Sequence, residues 1–409
     1  MGTTGRHARV IVVASTFPAS PDDPVPAFVR DQVVAMHELA PEIEWHVLAP
    51  HDHRSGTRGL TRHEEFVEHR FHYFWPRRGE ELAGRGIMPA LQQRPLLYAV
   101  LPFLVGAELV ALLRLARRLR PVTIYAHWFT PQGLVAAWVA RLVGARFVFT
   151  THASDVAVWH KVPIVGGPIV RAHASRAAAL TAVSRRSLAR LEAFFPDGRW
   201  ARLAPRAQIV PMGVHLPPPG QAPAVRERTI VFVGRLAEKK GVQVLLRALA
   251  AAADDLAGWR VVIGGDGPWR ERLESMAAEL GVAAEFPGYV TGAAKDELIR
   301  SAGIFVVPSI IAADGDAEGL PVSLMEGLAA GRICVATRES GADDLITDGG
   351  DGLLVDQQDP AGLAAAIVAA SRMTPAETAE MAQRAAARVA ELSWPVIARR
   401  YLNLIMEDS

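Results

Sequence analysis

Three cations follow a predicted strand in the second half of the chain. Residues 232–241 (FVGRLAEKKG) join an apolar strand to a predicted helix through Gly234, which permits a tight turn. Arg235 and Lys240 could stabilise the negative charge that develops on a departing diphosphate. Cations at a helix N-terminus oppose its dipole, which favours an anion as their partner. The alternative is that Lys239 and Lys240 form an ordinary solvated helix start.

Two carboxylates stand eight positions apart around the start of a proline-started helix, in residues 318–328 (EGLPVSLMEGL). Glu318 precedes the helix and Glu326 lies one turn inside it, so both can face one ligand. Carboxylates accept hydrogen bonds from sugar hydroxyls, and amides at a helix N-terminus receive phosphate oxygens. The connecting segment that would contact such a ligand is Gly319, Leu320, Pro321 and Val322. Alternatively, Glu326 is an exposed helix residue, because the apolar face of leucines 320, 324 and 328 excludes it.

A glycine-rich turn, residues 264–268 (GGDGP), follows another predicted strand. Gly265 and Gly267 would allow a ligand or an opposing loop to approach closely, and Pro268 suits a first helical turn. A tight strand-to-helix turn explains the same residues without a ligand. The spacing differs from the G-x-G-x-x-G dinucleotide fingerprint, which the first strand also lacks, so a dehydrogenase is disfavoured.

Short apolar strands alternate with helical segments along most of the chain, which predicts parallel sheets covered by helices. In the first half the predicted strands are 10–14, 45–48, 123–126, 147–150 and 180–183, and the predicted helices are 28–39, 132–143 and 185–194. In the second half the predicted strands are 229–233, 260–263, 304–307 and 333–336, and the predicted helices are 242–252, 269–280 and 322–330. A last helical pattern covers residues 394–405.

The two runs of alternation are separated by a proline-rich segment, residues 216–223 (LPPPGQAP), which cannot continue a helix or a central strand. The sequence therefore predicts an α/β fold of two doubly wound, Rossmann-like domains, residues 1–216 and 217–390. A C-terminal helix within residues 391–409 could pack back toward the N-terminal domain. Two such domains in tandem predict a ligand-binding cleft at the carboxyl ends of their strands.

Composition excludes several classes of protein and site. Of 409 residues, 44 are basic and 43 acidic, which argues against a nucleic-acid partner. With Cys334 as the single cysteine, an intrachain disulfide and a cysteine-rich metal site are ruled out. Its apolar neighbours predict that Cys334 is a buried strand residue. A reducing cytoplasm fits this cysteine usage, and the N-terminus lacks a signal-peptide pattern.

An apolar segment, residues 96–113, is followed by arginines at 114, 117, 118 and 120. Pro102 and Glu108 interrupt it, which argues against a spanning helix. One interpretation is a core helix with a basic exposed end. The other is a helix that lies on the inner, anionic face of a membrane, so that the cytoplasmic protein is held there peripherally.

The second half resembles the family-4 retaining glycosyltransferases of the GT-B fold. Three motifs occur in that family's order: Gly-Arg-Leu followed by Lys-Gly, then Gly-Asp-Gly-Pro, then two glutamates separated by seven residues. Further matching segments are residues 151–155 (THASD), 210–214 (VPMGV), 286–289 (FPGY), 308–309 (PS) and 352–355 (GLLV). The resemblance thus covers nearly the whole chain.

The resemblance implies a role for each matching residue. Arg235 and Lys240 would hold the diphosphate, Glu326 the ribose hydroxyls and Glu318 the donor sugar near the reacting centre. His152 would contact the donor sugar from the N-terminal domain, with Asp155 nearby or supporting the loop. The resemblance implies no metal and no other cofactor, and residues 314–316 (DGD) are interpreted as a turn.

The implied activity is transfer of a sugar from a UDP- or GDP-linked donor, with retention of configuration, in polysaccharide or glycolipid biosynthesis. The acceptor would be a lipid-linked molecule or a saccharide. Two alternatives use the same fold: a nucleotide-sugar epimerase, and a non-catalytic nucleotide-sugar-binding protein of an assembly complex. The chain departs from the family pattern in residues 16–30, which lack a frequent glycine pair, and at Ala153, Met212 and His215.

Overall fold

A computed structural model describes residues 8–20, 23, 25–83, 86–152, 154–196, 198–218 and 227–407, the side chains of Pro89, Ser154 and Pro163 excepted. The chain divides into two units. The first comprises Met1–Gly213 and Trp394–Ser409, and the second comprises Val214–Ser393. The predicted domain limits at residues 216 and 390 lie close to these divisions. Most of the predicted linker, residues 219–223, and the departure at Ala153 lie outside the described residues.

The strands alternate with the helices in the way that the apolar pattern predicts. The strands are β1 (Arg9–Val13), β2 (Glu44–Pro50), β3 (Leu60–Arg62), β4 (Val67–Phe71), β5 (Thr123–His127), β6 (Arg146–Thr151), β7 (Ala179–Ala182), β8 (Ala207–Ile209), β9 (Thr229–Val233), β10 (Arg260–Gly264), β11 (Ala284–Gly288), β12 (Ile304–Val307), β13 (Ile333–Thr337) and β14 (Leu353–Val355). Each predicted strand coincides with one of these to within about two residues at either end.

The helices lie between these strands and after the last of them. They are α1 (Phe28–Leu39), α2 (Ile87–Gln93), α3 (Leu101–Leu119), α4 (Leu134–Val143), α5 (Ser154–Ala157), α6 (Pro163–Ala174), α7 (Arg185–Glu192), α8 (Trp200–Leu203), α9 (Val242–Ala251), α10 (Arg270–Glu279), α11 (Gly292–Ser301), α12 (Val322–Ala329), α13 (Pro360–Ser371), α14 (Pro375–Ala390) and α15 (Trp394–Met406).

In the first unit the described strands form one sheet in the order β3-β4-β2-β1-β5-β6-β7-β8. All neighbours are parallel except β3, which pairs antiparallel with β4. The helix α15 belongs to this unit: the Tyr401 hydroxyl donates to the Val210 carbonyl at 2.8 Å, and the Thr123 hydroxyl donates to the Ile405 carbonyl at 2.8 Å. These buried bonds fix the C-terminal helix against the strands of the first unit.

In the second unit the described strands form a fully parallel sheet in the order β11-β10-β9-β12-β13-β14. The strands β9, β12 and β13 are buried along their whole length, as expected for a parallel sheet with both faces covered. Cys334 lies buried in β13, as predicted. The prediction of an α/β fold with two parallel-sheet domains is confirmed.

The apolar segment at residues 96–113 forms most of α3, which is amphipathic rather than uniformly apolar. Leu104, Glu108 and Leu112 lie on its buried face, whereas Phe103 and Val110 are 58% and 45% exposed. Buried Glu108 accepts a hydrogen bond from the Gln132 side chain at 3.2 Å. Among the described residues, no helix combines the length and the apolar character needed to cross a bilayer.

Candidate functional site

The cations after β9 and the carboxylates after β12 meet at one edge of the second sheet. Because β9 and β12 are neighbouring parallel strands, their carboxyl ends deliver both loops to the same place. The two loops are tied through the backbone, since the Ile310 amide donates to the Lys239 carbonyl at 2.8 Å. A Cβ on Gly241, whose φ is +69°, would lie 1.7 Å from the Pro308 carbonyl oxygen, so this approach requires glycine.

Lys239 and Lys240 are ion-paired rather than solvated. Lys240 Nζ lies 3.1 Å from Glu318 Oε2, and Lys239 Nζ lies 3.4 Å from Glu318 Oε1 and 3.1 Å from Asp316 Oδ2. Burial acts to raise the pKa of Glu318, but the charges of Lys240 and Lys239 prevail and lower it to about 2. Burial acts to lower the pKa of Lys239, and Glu318 and Asp316 together raise it. Glu318 and Lys239 are therefore held in their charged forms.

The predicted turn at residues 314–316 also carries a contact that the sequence analysis missed. The Asp316 amide donates to Asp314 Oδ1 at 2.9 Å, and Gly315 has a φ of +84°, which is typical of a tight turn. Asp316 nevertheless pairs with Lys239. Its signal in the sequence was its position two residues before Glu318, in the same loop.

Glu326 is half-buried and paired, so it is not an ordinary exposed helix residue. Its Oε1 accepts a hydrogen bond from Lys295 Nζ at 2.6 Å, and the two side chains are 24% and 28% exposed. Lys295 lies on α11 and carries no motif that could have singled it out. The residues between the two glutamates, Gly319, Leu320 and Pro321, are buried, and Val322 begins α12. Pro321 provides no side-chain cap for the first-turn amides of α12.

The glycine-rich turn packs directly on the loop that carries Arg235. The Leu236 amide donates to the Asp266 carbonyl at 2.9 Å, and the Gly234 amide donates to the Gly264 carbonyl at 3.0 Å. A Cβ on Gly265 would lie 1.8 Å from the Gly234 carbonyl oxygen, and one on Gly267 would lie 2.3 Å from the Leu236 carbonyl oxygen. These glycines thus allow the approach of an opposing loop, which was one of the two predicted uses. Arg235, which stands between Gly234 and Leu236 in this loop, is half-buried.

In the first unit, Asp155 holds the loop that presents His152. Its Oδ1 accepts hydrogen bonds from the His152 amide at 3.0 Å and from the Thr151 hydroxyl at 2.8 Å. Its Oδ2 accepts from the Phe129 amide at 2.6 Å. Both carboxylate oxygens of Asp155 thus accept hydrogen bonds from protein groups. Of the two roles that the resemblance left open for Asp155, proximity to the donor sugar and support of the loop, these contacts fit support of the loop.

His127 is a neighbour of His152 that the sequence analysis missed. His127 Nδ1 lies 3.2 Å from His152 Nε2, and the two rings stack with centroids 5.4 Å apart. Burial lowers the pKa of His152 to about 3. Burial also lowers the pKa of His127, and the neighbouring His152 adds to that effect, so both imidazoles are neutral. Within the described part of the chain, His127 Nε2 has no hydrogen-bond partner. The sequence offered one signal for His127: it is a polar residue at the end of a buried strand, next to the strand that leads to His152.

Two family models match this chain. The model described as "Glycosyl transferases group 1" matches residues 227–372, which include all the candidate residues of the second unit. The model described as "Glycosyl transferase 4-like" matches residues 101–184, which include His152 and Asp155.

Curated relatives of this chain are named as glycosyltransferases. WcaL of Escherichia coli (strain K12), a glycosyltransferase assigned to colanic acid biosynthesis, is 34% identical over 201 residues, 47% of this chain and 49% of WcaL. The chain thus matches about half the length of that relative. A GDP-mannose-dependent alpha-(1-6)-phosphatidylinositol monomannoside mannosyltransferase of Mycolicibacterium smegmatis is 30% identical over 269 residues, 62% of this chain and 69% of the relative.

Solved structures resemble the chain over nearly its whole length. Sucrose-phosphate synthase from Thermosynechococcus elongatus superposes with a TM-score of 0.73 at 18% identity, covering 97% of this chain and 98% of that one. HepE of Anabaena, solved in complex with UDP and glucose, gives a TM-score of 0.67 at 16% identity, with 97% and 99% coverage. At such identities the likeness establishes the fold, which is that of the GT-B glycosyltransferases.

Proposed function

This chain belongs to the family of group 1 glycosyl transferases, and we propose that it transfers a sugar from a nucleotide-diphosphate sugar to an acceptor hydroxyl with retention of configuration. The observation that carries the proposal is the cluster of Lys239, Lys240 and Glu318 at the carboxyl edge of the second sheet. It brings together a cationic motif and a carboxylate motif whose roles in this family are complementary.

In the proposed mechanism, Arg235 and Lys240 stabilise the diphosphate as its bond to the sugar breaks. Negative charge on the leaving group grows toward the transition state, so fixed cations lower the barrier most at that point. The ion pair with Glu318 supports this role for Lys240, because it holds the ammonium in position before the donor arrives. Amides at the start of α12, near Gly319, Leu320 and Val322, would share the phosphate oxygens.

Glu318 would accept hydrogen bonds from hydroxyls of the donor sugar. With a pKa of about 2 it is ionised at neutral pH, so it can act as an acceptor and does not serve as a general acid. Glu326 would bind the ribose hydroxyls in competition with Lys295, its present partner. We propose that His152 contacts the donor sugar, a role that rests on the family resemblance.

Retention follows, in this proposal, from attack of the acceptor on the face that the diphosphate leaves. The leaving phosphate would take the proton of the acceptor hydroxyl, so the mechanism names no nucleophilic side chain and no metal. The anomeric configuration of the product, read from its proton NMR coupling, tests retention. Full activity after incubation with EDTA would support metal-independent transfer, and recovery only on adding a divalent cation would contradict it.

We propose that the acceptor is lipid-linked or a saccharide and that the first unit meets an anionic membrane surface. The exposed face of α3 combines Phe103 and Val110 with Arg114 and Arg117, which are spaced along the same face. Nearby, Leu96 is 89% exposed. Such a face buries apolar side chains among lipids while its arginines contact anionic headgroups. Replacing Arg114, Arg117 and Arg118 with glutamine should abolish binding to vesicles that contain phosphatidylglycerol; unchanged partitioning would argue against it.

The donor is tested by thermal unfolding with UDP, GDP, ADP or NAD at matched concentrations. A nucleotide that binds the native state must raise its stability by mass action. We expect a shift with UDP or GDP that is lost in Arg235→Ala and Glu326→Ala. A shift only with NAD, or with none of the four, would overturn the proposed donor site.

Turnover then separates the alternatives that share this fold. Release of nucleoside diphosphate that depends on an acceptor indicates transfer, whereas a new sugar nucleotide formed from donor alone indicates an epimerase. Binding without either product indicates a non-catalytic protein.

A further inference from the structure

Two histidines and a glutamate meet where β2 and β4 end, in the part of the first sheet formed by β3, β4 and β2. His51 directly follows β2 and His72 directly follows β4. Because Pro50 pairs with Phe71 in the parallel register, the two histidines leave neighbouring strand ends side by side. Their ring centroids lie 4.3 Å apart. Glu80 enters between them from the segment after a short 3-10 turn, Arg77–Gly79.

The donor atoms of these three side chains converge. Glu80 Oε2 lies 2.6 Å from His51 Nδ1 and 2.9 Å from His72 Nδ1. The three possible ligand atoms all lie within 4.8 Å of one another. Among the described residues, this is the group of three or more His, Cys, Asp or Glu side chains that meets this distance limit. A tetrahedral zinc site with bonds of about 2.0–2.2 Å separates its ligand atoms by roughly 3.3 Å. Compared with that spacing, the distances of 2.6 and 2.9 Å from Glu80 Oε2 to the two nitrogens would have to lengthen by about 0.4–0.7 Å.

The carboxylate is oriented by a second set of contacts. Glu80 Oε1 accepts hydrogen bonds from the Tyr73 amide at 2.7 Å, the Phe74 amide at 3.1 Å and the Arg77 guanidinium at 3.0 Å. The Glu80 side chain is fully buried, whereas those of His51 and His72 are 12% and 41% exposed. Contacts of this kind fix the orientation of a metal ligand. Here they engage Oε1 and leave Oε2 facing the two imidazoles.

We propose that His51, His72 and Glu80 form a binding site for a divalent cation of the zinc class. Two imidazoles and one carboxylate suit zinc or cobalt, whereas magnesium and calcium prefer ligand sets made of oxygen. Three protein ligands leave one position of a tetrahedral site for water. The ion would tie the ends of β2 and β4 to the 77–80 segment.

Titration of the metal-stripped full-length protein with Co²⁺, followed by its visible absorption, tests the site, and Zn²⁺ competition gives the relative affinity. We expect one tight equivalent of metal per chain. His51→Ala and His72→Ala should each weaken binding at least tenfold, on the scale by which even outer-shell changes affect metal sites. The matched control is His63→Ala, because His63 also contacts a carboxylate, Glu68 Oε2 at 2.9 Å, but without a second histidine on it.

The proposal would be overturned if the wild type bound the metal only weakly, with the same affinity as the His51→Ala/His72→Ala double variant. The carboxylate would then simply accept hydrogen bonds from two imidazoles. An equal loss in His63→Ala would also overturn it. His51→Gln, which can still donate to Glu80, guards against misfolding: it should lose the metal while its metal-free thermal unfolding stays close to that of the wild type.

Discussion

Lys240 and Glu318 form an ion pair, with 3.1 Å between Nζ and Oε2, that links two motifs from different strand ends. The cation proposed for the diphosphate is thereby oriented by the carboxylate proposed for the sugar. Substitution of either residue would disturb the other, so single-residue losses of activity at these positions should not be additive.

Replacing Lys240 should abolish most of the transfer rate. We expect Lys240→Met to lower kcat by about 10²–10³, the range observed when one transition-state charge contact is removed. The control is Arg260→Met, since Arg260 forms an exposed pair with Glu285 on the same unit at 2.9 Å. Wild-type kcat in Lys240→Met, measured with saturating donor, would contradict the role of this ammonium.

Lys295 and Glu326 should be energetically coupled in nucleotide binding. Glu326→Gln is expected to weaken binding of the nucleoside diphosphate at least about tenfold, a loss of roughly 1.4 kcal/mol, because ribose hydroxyls lose a charged acceptor. Lys295→Met removes the competing partner of Glu326, so it should strengthen binding by a smaller factor, and this gain should disappear in the Glu326→Gln background. Calorimetric titration of the four proteins completes a double-mutant cycle. Strictly additive effects would show that the 2.6 Å contact plays no part in binding.

Gly265→Ala should destabilise the contact between the loops that carry Gly234 and Gly265. The loss should exceed that from replacing a glycine with a positive φ but open space around it. Its φ is +145°, and a Cβ would lie 1.8 Å from the Gly234 carbonyl oxygen. Gly281→Ala is the matched control, with a φ of +69° and no atom within 4 Å of its Cβ position. We expect the control to lose about 1 kcal/mol or less and Gly265→Ala to lose more, together with its nucleotide-dependent thermal shift. Equal losses would indicate that the loop accommodates a methyl group.

Glu108 should make the first unit less stable as pH rises. Burial raises the pKa of Glu108 from 4.5 to about 8, while Gln132 lowers it only in part. Between these values the folded state keeps a proton that the unfolded chain releases, so its contribution is complete below pH 4.5 and lost as pH rises through 8. At pH 7 the cost is on the order of 3 kcal/mol.

The Glu108→Gln variant removes that titration while keeping a neutral side chain of similar shape. Its free energy of unfolding should therefore fall less than that of the wild type between pH 5 and pH 8. Denaturant unfolding at several pH values measures the difference, with the exposed Glu64→Gln change as control. Parallel profiles for the wild type and Glu108→Gln would contradict the shift.

Much of the fold was accessible from the sequence because buried parallel strands are continuous apolar runs. The strands β9 and β12 were predicted to the residue, since each is a short apolar run followed by glycine or proline. The strands β3 and β4 were missed because β4 buries charged side chains, Glu68 and Arg70, in an ion pair. The ion pair between these two side chains compensates for the burial of their charges, and no local sequence pattern indicates such a pair.

The candidate site divides in the same way. The sequence by itself determined which loops carry Arg235, Lys240, Glu318 and Glu326, because residue type and spacing relative to strand ends are local properties. Only the tertiary structure decided that Lys239 is paired with Asp316, that Lys295 reaches Glu326, and that His127 lies beside His152. Those contacts depend on strand order and helix packing, and side chains distant in sequence become neighbours only when the parallel sheets assemble.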